Sequence, residues 1–92
     1  EPISALDVKH QVETLRLIRR LASERQLTVI IVLHDVDLAA RFCDRLVALR
    51  QGQVIADGAP QTFMDAAVLE SIYGTPMGVL ERSPGQWVSF VQ

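Results

Sequence analysis

Apolar positions along this chain follow two rhythms. From Val8 they recur at Val12, Leu15, Ile18 and Ala22, in steps of four, three, three and four, which lines one face of an α-helix. The spacing predicts an amphipathic helix from Val8 to Arg25 or Gln26. Asp7 is placed to accept from the unpaired amides of its first turn, with Ser4 as a cap one step earlier. Leu21 widens the stripe, whereas Leu17 lies off it and is available to a partner. On the opposite side Glu13, Arg16, Arg20 and Glu24 set opposite charges three or four residues apart, a solvated face worth roughly 0.2–0.5 kcal/mol per pair. His10, near the helix start, has no companion ligand and reads as a surface residue.

The second rhythm is continuous. Val29-Ile30-Ile31-Val32-Leu33 is an unbroken apolar run, rich in β-branched residues, that ends at His34-Asp35. Such a run predicts a strand buried on both faces, as in a parallel sheet. His34 then stands where the strand leaves the core, the end at which ligands gather in open α/β sheets. Asp35 or Asp37 can cap a short helix reaching Phe42 or Cys43, with Leu38, Ala39 and Phe42 inward. Acidic caps repel an anion, so any phosphate contact at this turn falls to His34.

Arg45–Arg50 and Gln53–Asp57 are short β-rich runs around Gln51-Gly52, a hairpin signal, expected to extend the edge of the sheet. Pro60 opens a brief helix at a position where its missing donor costs nothing. Asp65 caps a further helix, Ala66 to Tyr73, closed by Gly74 and sealed by Pro76. Val79-Leu80 and Trp87–Val91 are strand-like around Ser83-Pro84-Gly85, giving a terminal hairpin.

Composition narrows the class. The 92 residues are 49% hydrophobic but only 5% aromatic, which favours an aliphatic α/β core in at most one domain. Nine basic residues stand against eleven acidic ones, and no basic cluster longer than Arg19-Arg20 occurs, so a nucleic-acid surface is not supported. Cys43 is the single cysteine and can form no internal disulfide; it reads as a small apolar residue. No apolar run approaches the ~20 residues that span a bilayer. The histidines and Cys43 lack metal-ligand spacing. The chain opens at Glu1-Pro2 without methionine, which raises the expectation of a piece of something longer. Glu1, Ser4, Asp7 and His34 each have a structural reading as turn, cap or strand-end residues, and the residues alone leave structural and catalytic roles open.

Taken together, Glu1-Pro2-Ile3-Ser4-Ala5-Leu6-Asp7, the β-branched run, His34-Asp35, Cys43-Asp44-Arg45 and the 45–58 segment resemble the C-terminal part of ATP-binding-cassette ATPases. That family carries a Walker B strand ending in Asp-Glu, a Ser-Ala-Leu-Asp D-loop and a switch histidine closing the next strand. Ile3 stands where a threonine is frequent. The closing Ser71-Ile72-Tyr73-Gly74 and terminal hairpin are similar to importers of the iron-siderophore, haem and vitamin B12 type. The resemblance implies an α/β fold, the C-terminal part of a P-loop NTPase-type domain, with a parallel strand core, flanking helices and antiparallel edge hairpins. It covers residues 1–92 as one partial domain.

The resemblance also implies roles. Glu1 orients and polarises the attacking water, the work of a general base. His34 contacts the γ-phosphate and fixes water and carboxylate. Ser4 and Asp7 couple the two nucleotide sites of a dimer. The implied cofactors are ATP and Mg2+ in the parent, with no metal site in the chain itself. The implied partners are a second ATPase subunit and membrane permease subunits at the cytoplasmic face of a bacterial inner membrane. No Gly-x-x-x-x-Gly-Lys-Ser/Thr loop, glutamine loop or signature motif occurs in these residues, so the segment alone is expected neither to cradle phosphates nor to hydrolyse ATP. The alternative is a non-catalytic module that self-associates or pairs through exposed sheet edges.

Overall fold

A computed structural model describes residues 5–92, with side chains described from Val8 onward. Two compact units divide between Val32 and Leu33. The elements in order are α1 (Ala5–Arg25), α2 (Val36–Phe42), β1 (Leu46–Arg50), β2 (Gln53–Gly58), α3 (Pro60–Phe63), α4 (Ala66–Tyr73), β3 (Met77–Ser83) and β4 (Gln86–Val91).

The first unit is dominated by α1. Its apolar stripe follows the predicted spacing from Val12 onward: Leu15 is buried and Val12, Ile18, Leu21 and Ala22 are half-buried, while Val8, the expected first member, is exposed like Leu17 and His10. Among the described residues the helix already includes Ala5, however, so Asp7 lies inside it and not at its expected cap position. Ala5 and Leu6 are strong helix formers and carry the helix past the expected start. Glu1 and Ser4 lie outside the described residues. The helix closes on Gln26, whose φ of 52° is left-handed, and Leu27 N–H donates to the Ala22 carbonyl at 2.9 Å. That bond satisfies one of the helix's orphan carbonyls in a Schellman arrangement.

The apolar run that follows corrects the sequence reading. Residues 27–33 form no strand and pair with no other strand, and Ile30 and Val32 are 93% and 83% exposed. A strand buried on both faces needs a ladder neighbour on each side and a layer above and below. Every ladder among the described residues is used within the two hairpins, β1 with β2 and β3 with β4. The α/β class therefore holds through helices and antiparallel hairpins, and the expected parallel core is not formed by the described residues. Nor does the first hairpin extend a larger sheet; it is a two-stranded sheet by itself.

The second unit follows its local signals closely. Arg50 pairs with Gln53 across Gln51 and Gly52, whose φ values of 52° and 76° give the twist of a two-residue hairpin turn. The register slips between Ala48 and Leu49, leaving Ile55 as the extra residue of a bulge. Arg45 grips Asp57 across the start of the hairpin with bonds of 2.8 and 2.7 Å. The Arg45 hydrogen bond holds the exposed Asp57 carboxyl below its ordinary value. Pro60 occupies the first turn of α3, and Ala59 offers no side-chain cap. Asp65 caps α4 by accepting from Ala67 N–H and Val68 N–H at 2.8 and 3.2 Å.

The core of this unit is gathered by α4, which packs on β1, β2, β3 and α3. Leu69 on α4, Phe63 on α3, Leu46 on β1 and Met77 on β3 are its buried apolar residues. The C-terminus of α4 closes at Gly74, with φ 73°. Arg50 lies against it and donates to the Ser71 carbonyl at 3.0 Å, a cation where the helix dipole is negative.

Candidate functional site around His34

The turn between Leu33 and α2 is built from the first helical residues outward. Asp35, with extended backbone, accepts from Asp37 N–H at 2.9 Å and Leu38 N–H at 3.3 Å, and its carbonyl receives Ala39 N–H at 3.0 Å. The cap candidates Asp35 and Asp37 are thus resolved in favour of Asp35. Two amides that would otherwise face an approaching anion are already satisfied, and by a carboxylate. His34 stands one residue before this cap in a bend, exposed to solvent. It is the ionisable side chain that immediately precedes the Asp35 cap.

Two further groups brace the turn from elsewhere in the second unit. The Tyr73 hydroxyl at the end of α4 accepts from Val36 N–H at 3.2 Å. Asp37, freed from capping, accepts from Ser89 N–H at 3.1 and 3.2 Å and from the Ser89 hydroxyl at 2.8 Å. Neither contact was foreseen. The only local hint was that Asp35 and Asp37 competed for one cap, so one carboxylate had to find another partner.

The remaining expectations divide plainly. Glu1 and Ser4 lie outside the described residues, and Asp7 has a described backbone but no described side chain. Of the four named residues, His34 is the one whose side chain is described. Cys43 is half-buried and forms no disulfide. Among the described residues no group of three or more His, Cys, Asp or Glu is placed to hold a metal ion. An open groove of about 660 Å³ runs between α2, α3 and the tip of the terminal hairpin, lined by Asp37, Arg41, Met64, Arg82 and Trp87 among others, but not by His34. Its lining mixes both charges. No helix among the described residues is long and apolar enough to cross a membrane.

Comparison with known proteins supplies what the site alone does not. No protein-family model matches the chain. It is 49% identical over 80 residues, 87% of its length, to the hemin import ATP-binding protein HmuV of Bordetella avium. It is 50% identical over 74 residues to the protein of that name from Vibrio cholerae serotype O1, and 46% identical over 81 residues to that from Escherichia coli O157:H7. The matched segments cover 31%, 29% and 32% of those relatives, so the chain spans less than a third of their length. Over most of its residues the chain is thus similar to a segment of hemin import ATP-binding proteins that makes up less than a third of their length.

Proposed function

We propose that this chain is the part of an ATP-binding-cassette importer ATPase that senses the γ-phosphate and orients the attacking water. The whole subunit would couple ATP hydrolysis to uptake of haem, an iron chelate or a cobalamin-type substrate. The observation that carries this reading is the 49% identity over 87% of the chain to a hemin import ATP-binding protein, together with an exposed His34 on a helix start whose own amides are occupied.

Phosphoryl transfer asks the protein mainly for positioning and charge stabilisation. In this reading His34 donates a ring N–H to a γ-phosphate oxygen, and Glu1 accepts a hydrogen bond from the attacking water and takes its proton as attack proceeds. Ser4 and Asp7 belong to the loop that links two nucleotide sites in an ATPase dimer, and permease subunits receive the resulting motion. The phosphate cradle and the Mg2+ ligands would come from outside these residues, and the segment by itself is inactive. The subunit would lie peripherally at the cytoplasmic face of a bacterial inner membrane.

The test is made in the whole ATPase subunit. Glu1→Gln and His34→Ala should each lower kcat by about a hundredfold, the scale of a lost general base or a misplaced reacting group, while nucleotide binding survives. Normal turnover in both variants would remove the assignment.

The exposed apolar residues Ile30 and Val32 favour a second reading, a non-catalytic module that self-associates through this unpaired stretch. A chain that sediments as a monomer at micromolar concentration would exclude it.

A further inference from the structure

We propose that Asp37 is a positioning residue for His34, acting through Ser89. The inference rests on the reading of His34 as the γ-phosphate contact and adds to it the device that holds the histidine in place.

His34 is exposed, so packing does not fix it. What fixes its backbone is the start of α2, because His34, the Asp35 cap and Val36 follow one another directly. That helix is only seven residues long, and an isolated helix of this length is far below what is stable in water. Its position must come from anchors, and they are of two kinds. Tyr73 accepts from Val36 N–H, the amide two residues after His34. Asp37 takes both donors of Ser89, a residue 52 positions away on β4. These contacts are partly buried, unlike the other side-chain hydrogen bonds of the turn. A carboxylate accepting from an amide and a hydroxyl of one residue has a defined orientation. The first turn of α2 is thereby pinned to the terminal hairpin, and through it the histidine that precedes that turn.

The experiment uses the whole ATPase subunit and reads two things: kcat and KM for ATP, and amide hydrogen exchange across residues 34–38. Asp37→Ala should speed exchange in that segment and lower kcat by about tenfold with KM changed less than about threefold, because a small misplacement of a reacting group is costly. Ser89→Ala, which removes only the hydroxyl, should show a smaller loss and add nothing on the Asp37→Ala background, since neighbours in one network are not additive. Asp37→Asn keeps an acceptor for Ser89 and should restore most of kcat.

A merely structural role would leave kcat at saturating ATP intact while the protein melts earlier, and that outcome overturns the proposal. So does additivity of the two alanine variants, or an Asn variant no better than Ala. His34→Ala is run in parallel. If it leaves kcat unchanged, the reading of His34 falls and the positioning role with it. If it lowers kcat while Asp37→Ala alters neither exchange nor kcat, only the role of Asp37 falls.

Discussion

Gly52 and Gly74 have nearly the same left-handed φ, 76° and 73°, yet they carry different burdens. A Cβ at Gly52 would meet nothing within 4 Å, whereas one at Gly74 would come 2.6 Å from an Arg50 guanidinium nitrogen. Gly52→Ala should therefore cost only the backbone penalty of about 1 kcal/mol. Gly74→Ala should cost that and a little more, because the flexible end of Arg50 must shift and loosen its bond to the Ser71 carbonyl. Urea denaturation of the two variants measures the difference, and equal midpoints would deny Arg50 a role. The glycines were legible as turn and cap residues from their neighbours in sequence. Arg50 was not, because its partner lies 21 residues away.

Elements were legible where their signals are local. The capped helices, the Gln51-Gly52 turn and the terminal hairpin sit close to where the sequence placed them, since caps and tight turns are satisfied within a few residues. Asp65 illustrates the energetics: it supplies two bonds to α4, the helix that carries the fully buried Leu69. Asp65→Ala should lower stability by about 1 kcal/mol, and Leu69→Ala by about 2–5 kcal/mol, both readable by thermal melting. If the cap variant proved as damaging as the core variant, α4 would owe its place to capping and not to Leu69. The apolar run from Val29 to Leu33 shows the opposite limit. Its composition is right for a central strand, but a strand exists only where another supplies its ladder, and composition cannot say whether one is at hand. The same holds for Asp7: the sequence marks a capping residue type, while the described helix already includes the strong helix formers Ala5 and Leu6.

For the whole molecule, the candidate site was legible in part. His34 and its Asp35 cap could be read from a strand-like run ending in polar residues, but the bracing by Tyr73 and Ser89 joins positions 37 and 52 residues apart and leaves no local pattern. The chain matches less than a third of its relatives' length, and it has no phosphate-binding loop motif of its own. Calorimetric titration of the 92-residue chain with ATP and Mg2+ should accordingly give no saturable heat. Micromolar affinity would mean that these residues form a nucleotide site by a route outside the cassette arrangement.

The contact between Asp37 and Ser89 has a consequence for association as well. A two-stranded sheet offers outward-facing amides on which another strand can add, the usual seed of sheet growth between molecules. On β4 the Ser89 amide is already engaged by a carboxylate. A chain approaching that edge would have to displace a negative charge and the helix that bears it, so the terminal hairpin is guarded against growth at Ser89 while the stretch containing Ile30 and Val32 is left unguarded.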